Sequence, residues 1–571
     1  MADAASGDMS SERGGPGPGS RPAPGPHHHE GSIKETLVSI IISLAMAFIA
    51  KSYVVEAFVI PTGSMAPTLL GKHMLFRSDQ TGYEWAVNPW YYINQNADFP
   101  APLQGADDAN RPWPDPMVTD PMTTSRSNIE FAPDPRTIRE RAGYTPPPQV
   151  KRLRMGDRIL VHKYLYEVLP PRRWDVVVFK NPENATQNFI KRLVGLAGEE
   201  IWLADGDVFA RPAPPSGAGT DPAKDGWFIA RKPDRIQRAL WRTIYSSEYC
   251  PREPVRDGRR WFHSPWSGDG WASEDRTEYR CDNPIASRLE WDTVNWPITD
   301  RVPYNEVASR IMPERPAFPV ADLRMRCGVR PDSEGLKLSA TISARNHEFQ
   351  AAIEDGRAIV RMRPAGASEW SREDWSPLPR QALAPGRVTN IEFWHADQSL
   401  SLWIDGRKVV TSTYDWGPSE RLLHVTGMPG DDYFDEPSTA LSRPETYTGA
   451  APKLWWSFDG APVTLYRVGL DRDLYYQPVA RGDTPGLATH PARLAHLGPD
   501  QFFACGDNSP ASQDGRLWNR VDPWVQDIDS ELGVVNRKLL LGKAFFVYFP
   551  SPFMVNDRIP VPDFGSMRFI R

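Results

Sequence analysis

Three short stretches of this chain carry side chains that can do chemistry. The first is IPTGSMAPTL, Ile60–Leu69, where Pro61, Gly63 and Pro67 punctuate an apolar run and set Ser64 on a constrained turn. A serine hydroxyl is a weak nucleophile until a base takes its proton. The second stretch is NFIKRLVGLAGE, Asn188–Glu199, where Lys191 sits among Phe189, Ile190, Leu193 and Val194. An ammonium in apolar surroundings loses hydration, so its pKa falls toward the range of a general base. The third is ACGDNSPASQDGRLW, Ala504–Trp518, which gathers small polar residues around Asp514 and Arg516, an ion pair suited to fixing a loop. Ser512 in the same string is a hydroxyl suited to orienting a buried amine.

The elements that must position these groups read as strands. VVEAFVI (Val54–Ile60), RILVHKYLY (Arg158–Tyr166), DVVVFK (Asp175–Lys180) and KLLLGKAFFVYFP near the C-terminus are rich in β-branched and aromatic residues. Between about Arg211 and His490, FQAAIEDGRAIVRMR and LSLWIDGRKVV each hold Asp-Gly between alternating strands, a strong hairpin signal. Repeated hairpins at this spacing predict a β-sandwich. One segment has membrane character: Thr36–Ala50 is an uncharged run of 15 residues inside a helix expected over 33–55, with Lys51 placed to snorkel.

The three chemical strings, taken in order, resemble the bacterial type I signal peptidases, membrane-anchored endopeptidases with a Ser–Lys dyad. Thr62–Leu69 matches the family's nucleophile box and Gly156–Lys163 (GDRILVHK) its second box. Trp174–Lys180 with Phe189–Glu199 matches the lysine box, and Gly506–Asn508 with Ser512–Arg516 matches the last. The resemblance implies Ser64 as nucleophile and Lys191 as general base. Thr62, where the family usually has Ser, would join the Ser64 backbone N–H in binding the oxyanion. Ser512 would hold the Lys191 amine, and Asp507, Asp514 and Arg516 would brace the site. Gly515 stands where the family usually has Ser. His73 and His162 fall in family boxes without matching a catalytic position and read as structural.

The implied architecture is mainly β: a signal-peptidase-type catalytic domain, one N-terminal transmembrane helix and a large inserted β-sandwich like the concanavalin or laminin-G jelly rolls. The expected division is a Gly/Pro-rich cytoplasmic tail over 1–32, with three histidines, His27 to His29, and the membrane helix over 33–55. Catalytic segments follow over 56–77, 151–210 and 491–571, separated by an irregular insertion over 78–150 and the sandwich over 211–490. The expected substrates are preproteins carrying signal peptides with small residues at alternate positions, cut at the outer face of a bacterial cytoplasmic membrane. The lipid bilayer is the second expected partner, and a carbohydrate or protein partner for the sandwich stays open.

Composition excludes several other functions. Lys+Arg 66 against Asp+Glu 72 gives a net charge of -6, so no basic field favours nucleic acid. Four cysteines without a C-x-x-C pair exclude a zinc ribbon and a disulfide-dense scaffold. No metal or cofactor is expected. Cys250 and Cys281 are candidates for pairing, whereas Cys327 and Cys505 have no evident partner. Two competing readings are an anchored surface-binding protein with an inert peptidase core, and a self-cleaving Ser–Lys regulator. Intact Ser64, Thr62, Lys191 and Ser512 argue against the first, and the membrane segment in place of a DNA-binding region argues against the second.

Overall fold

Strands dominate because β-branched and aromatic runs alternate along most of the chain. A computed structural model describes residues 33–78, 81–88, 117–123, 126–128, 150–213, 226–249, 255–256, 259–260, 264–273, 277–301, 305–306, 317–434, 436, 439–555 and 559–571. The expected tail over 1–32, most of the 78–150 insertion, and Cys250 lie outside them. Residues up to Tyr53 and Val54–Arg571 form two separate units.

In the first unit, Ile33–Tyr53 is a 21-residue helix. Leu37, Val38, Ile40, Ile41, Ile42, Leu44 and Met46 are all exposed along it. Among the described residues, no helix is long and apolar enough to cross a membrane. Of the expectation over 33–55, the helix itself forms, over Ile33–Tyr53, and its uncharged run is 15 residues, bounded by Glu35 and Lys51.

In the second unit, an eight-stranded antiparallel sheet runs in the order Val55–Val59, Arg158–Lys163, Leu540–Phe549, Val176–Asn181, Asn184–Gly195, Gln501–Cys505, Val535–Asn536. Arg568–Phe569 also pairs with Leu540–Phe549. The runs read from sequence as strands therefore form one sheet, from four separate stretches of chain. Ile60, Met65, Leu69, Ile159, Val161, Val176, Val178, Ala544 and Val547 form its core beneath the Ser64 turn. Close approach fixes Gly156, where a Cβ would lie 1.8 Å from the Ile60 carbonyl oxygen. His73 is buried with Nδ1 2.7 Å from the Gly71 carbonyl, and His162 stacks on Phe545; neither contact is with Ser64 or Lys191.

A smaller sheet, Phe228–Ile229, Asp207–Pro212, Glu199–Ala204 and Ala495–His496, extends from the lysine strand. Beyond it, a second eight-stranded sheet and a seven-stranded sheet share one hydrophobic cluster, with Leu323, Met325, Phe393 and Leu465 from one sheet meeting Leu338, Ile342, Phe349 and Trp456 from the other. Both Asp-Gly hairpins form as read. Asp355-Gly356 (φ 50 and 72) joins His347–Glu354 to Arg357–Pro364, and Asp405-Gly406 (φ 48 and 78) joins Ser399–Ile404 to Arg407–Thr413. Cys281, Cys327 and Cys505 are buried and, among the described residues, pair with no other cysteine; Cys250, the candidate partner of Cys281, lies outside those residues.

Candidate active site

Ser64 lies in a single 3-10 turn, Gly63–Met65, which the segment 60–62 joins to the edge strand Val55–Val59. Thr62 precedes the turn in extended conformation, half-buried, and its hydroxyl makes no capping bond. Lys191 projects from the strand Asn184–Gly195, opposite Val177 of the neighbouring strand. The two residues are 127 apart in sequence, and Lys191 Nζ lies 2.6 Å from Ser64 Oγ. Both are buried, at 3% exposure for Lys191 and 9% for Ser64. The Phe189 ring lies 5.3 Å from the amine.

Burial is the main influence on this lysine. Desolvation pulls its pKa down from 10.5 to about 8, and Arg516 acts in the same direction, against the opposing pull of Asp514, Cys505 and Asp507. The neutral amine is therefore accessible at mildly alkaline pH, and in that form it can accept a proton across the same 2.6 Å contact.

The loop 506–516 holds the turn. Asn508 N–H donates to the Ser64 carbonyl at 3.0 Å, and Asn508 Nδ2 donates to the Gly63 carbonyl at 3.0 Å. Gly506 must be a glycine, since a Cβ there would meet the Ser64 carbonyl at 2.4 Å and Ser512 Oγ at 2.2 Å. Asp514 takes Arg516 Nε at 2.9 Å and Nη2 at 2.8 Å, and also accepts the Gly506 N–H at 2.9 Å. Burial would raise the Asp514 pKa, but the Arg516 guanidinium and these hydrogen bonds hold it below the usual carboxylate range.

Asp507 does more than support the loop. It accepts both Arg192 Nε (2.8 Å) and Nη2 (2.6 Å), as well as the Thr68 hydroxyl (2.5 Å). Burial again works against its charge, and Arg192 outweighs it, with Arg242 and Thr68 adding to the downward shift. Side chains alternate along a strand, so Lys191 and Arg192 face opposite ways. That alternation was the available signal for Arg192, which sequence reasoning missed along with Asn508.

Ser512 departs from expectation. The hydroxyl foreseen as holding the Lys191 amine is buried and finds no hydrogen-bond partner among the described residues, crowded over Gly506. A hydroxyl with no partner contributes nothing to stability. Ser512→Ala is therefore expected to leave the thermal melt unchanged or slightly raised, and a fall in apparent Tm would contradict this placement.

The family described as Signal peptidase, peptidase S26, matches residues 149–214, which include Lys191. The chain is similar to type I signal peptidases. Signal peptidase I of Leptolyngbya laminosa is 32% identical over 114 residues, covering 19% of this chain and 56% of that protein. Probable signal peptidase I-2 of Synechocystis is 35% identical over 81 residues, covering 13% and 37%. Signal peptidase I of Aquifex aeolicus is 43% identical over 49 residues, covering 9% and 19%. The chain thus spans little more than half the length, at most, of these curated relatives. Among solved structures, the carbohydrate-binding module CBM66 from Bacillus subtilis aligns with 36% of this chain and 95% of that one, at 8% identity and a TM-score of 0.22. A Bacillus licheniformis β-glucanase covers 39% and 96%, at 10% identity and a TM-score of 0.21. Such scores are too low to indicate a shared fold.

Against the signal peptidase pattern, the glycine at position 515 has a local explanation. A Cβ there would approach the Gly533 carbonyl at 2.6 Å and the Phe503 ring at 2.7 Å. The Gln501–Cys505 strand and the 533 turn close over this point, leaving no room for a serine.

Proposed function

We propose that this protein is a serine endopeptidase that removes N-terminal signal peptides from translocated preproteins at small-x-small sites. The observation that carries the reading is the buried Lys191 amine held 2.6 Å from the Ser64 hydroxyl. Neutral Lys191 takes the Ser64 proton as Oγ attacks the scissile carbonyl carbon. The Ser64 N–H and the Thr62 hydroxyl receive the charge that develops on the carbonyl oxygen. Protonated Lys191 then gives its proton to the leaving amine, and the same amine activates the water that hydrolyses the acyl-enzyme.

The sheet leaves an edge for substrate. Among the described residues, Val55–Val59 pairs with Arg158–Lys163 alone. Asn188–Lys191 pairs with Val176–Asn181 on one side, while on the other the Gln501–Cys505 strand begins its pairing only at Arg192. An extended preprotein segment fits between Phe58–Thr62 and Asn188–Lys191 as an added strand. The exposed apolar side chains of the Ile33–Tyr53 helix support association with a bacterial membrane, where such substrates emerge. We read the two large sheets as an inserted β-sandwich that serves as scaffold.

The test is the pH dependence of cleavage. Lys191 must be neutral to act, and its pKa is lowered to about 8, so kcat/KM rises with pH and levels off above that value. A profile that is flat through this range, or one that falls, would overturn the assignment of Lys191 as base.

A further inference from the structure

The strand Arg242–Ser246 belongs to the two-sheet module: it pairs with Val463–Arg472, with Arg242 opposite Arg472. Its first residue nevertheless reaches the catalytic support. Arg242 Nη2 donates to Thr68 Oγ1 at 2.7 Å across 174 residues of sequence. That hydroxyl in turn donates to Asp507 Oδ2 at 2.5 Å, on the carboxylate already gripped by Arg192.

Both ends of this relay close on the nucleophile. Thr68 lies just past the Ser64 turn, where Leu69 N–H bonds back to the Met65 carbonyl. Asp507 precedes Asn508, which bonds the carbonyls of Gly63 and Ser64. A guanidinium in this position is expensive to keep. It is buried, its Nε has no hydrogen-bond partner among the described residues, and Arg472 and Arg192 both repel it. Simple packing would be served better by an apolar side chain.

We propose that Arg242 is a positioning residue for the Ser64–Lys191 pair, acting from the inserted module through Thr68 and Asp507. The proposal rests on the Ser–Lys reading for its kinetic consequence, but its electrostatic consequence stands apart. The charges facing Lys191 are Asp514, Arg516, Asp507 and, when ionised, Cys505. Of these, Asp507 is the one that Arg242 and Thr68 help to neutralise. Losing either partner leaves more of its negative field on Lys191 and stabilises the ammonium.

The test follows carbamylation of Lys191 by cyanate against pH in the full chain, read by mass spectrometry, beside cleavage kinetics. Arg242→Gln and Thr68→Val are expected to move the Lys191 midpoint up by about half a pH unit or more. They are also expected to lower kcat about tenfold with KM held within about twofold. Arg242→Lys and Thr68→Ser, which keep the charge and the hydroxyl respectively, are expected to restore most of both. Thr68 is only partly buried, so Thr68→Val decides the matter if Arg242→Gln does not fold. An unmoved midpoint in folded Thr68→Val overturns the proposal. A moved midpoint in the variants, with a folded wild type that cleaves no preprotein, would sink the peptidase reading and leave the positioning role standing.

Discussion

Replacing Lys191 with Met is expected to lower preprotein cleavage by about 10⁴-fold or more, the range seen when a member of a catalytic unit is removed. Ser64→Ala is expected to cost as much, and the double variant no more than either, because the two act in one proton transfer. Met suits position 191 physically. It matches the lysine stem, with a sulfur in place of one methylene, in a site walled by the Phe189 ring and buried strand, and it lacks the amine. The fold should survive, since Lys191 is a buried cation with no salt bridge to a carboxylate among the described residues and loses hydration by being there. Single-turnover assays beside circular dichroism check both halves. Strongly non-additive losses would support the dyad, and additive ones would contradict it.

Asp507→Ala is expected to act strongly on stability. Arg192 is fully buried, and its Nη1 also serves the Trp174 carbonyl (2.9 Å) and the Arg571 carbonyl (3.0 Å), so it cannot follow its lost partner into water. Breaking one side of a buried pair leaves an uncompensated charge, an effect of about 3–5 kcal/mol. Urea denaturation followed by tryptophan fluorescence should show a correspondingly lower midpoint. Asp507→Asn, which keeps the shape and one acceptor, should lose less. Equal midpoints for wild type and Asp507→Ala would mean that the Arg192–Asp507 pair is not closed in solution.

The strands around the site were legible because each announces itself locally. GDRILVHK became Arg158–Lys163, DVVVFK became Val176–Asn181, and the last apolar run became Leu540–Phe549. The Asp-Gly turns were legible for the same reason, since residues at positive φ favour that pair. The turns at Arg345-Asn346 and Asp397-Gln398 also have positive φ, at 55 and 55 and at 48 and 54, but carry no glycine to mark them. The helix Pro418–Thr426 is nine residues long, too short for its periodicity to stand out, although Pro418 opens it and Gly427 (φ 83) closes it.

Within the site, Ser64 and Lys191 were foreseen, and they meet. What the sequence did not reveal is long-range. Arg242 reaches Thr68 from the second eight-stranded sheet. Gln477 likewise accepts Arg516 Nη1 on its carbonyl at 2.9 Å and donates its N–H to Ser509 Oγ at 2.7 Å. No local pattern encodes such contacts, because they depend on how two sheets dock. The Ser512 hydroxyl is a related case: its presence in a matching box says nothing of which way it turns over Gly506.

The most direct test of the central claim is to map the cleavage site in a preprotein with an Ala-x-Ala signal sequence, by mass spectrometry of the products from detergent-purified full chain. A single cut after the second alanine, absent with Ser64→Ala and with Lys191→Met, is the predicted result. An intact preprotein after incubation with folded wild type, or the same cut from all three proteins, would contradict the account. The first outcome would point instead to an inert core in a surface-binding protein, and the second to a contaminating peptidase.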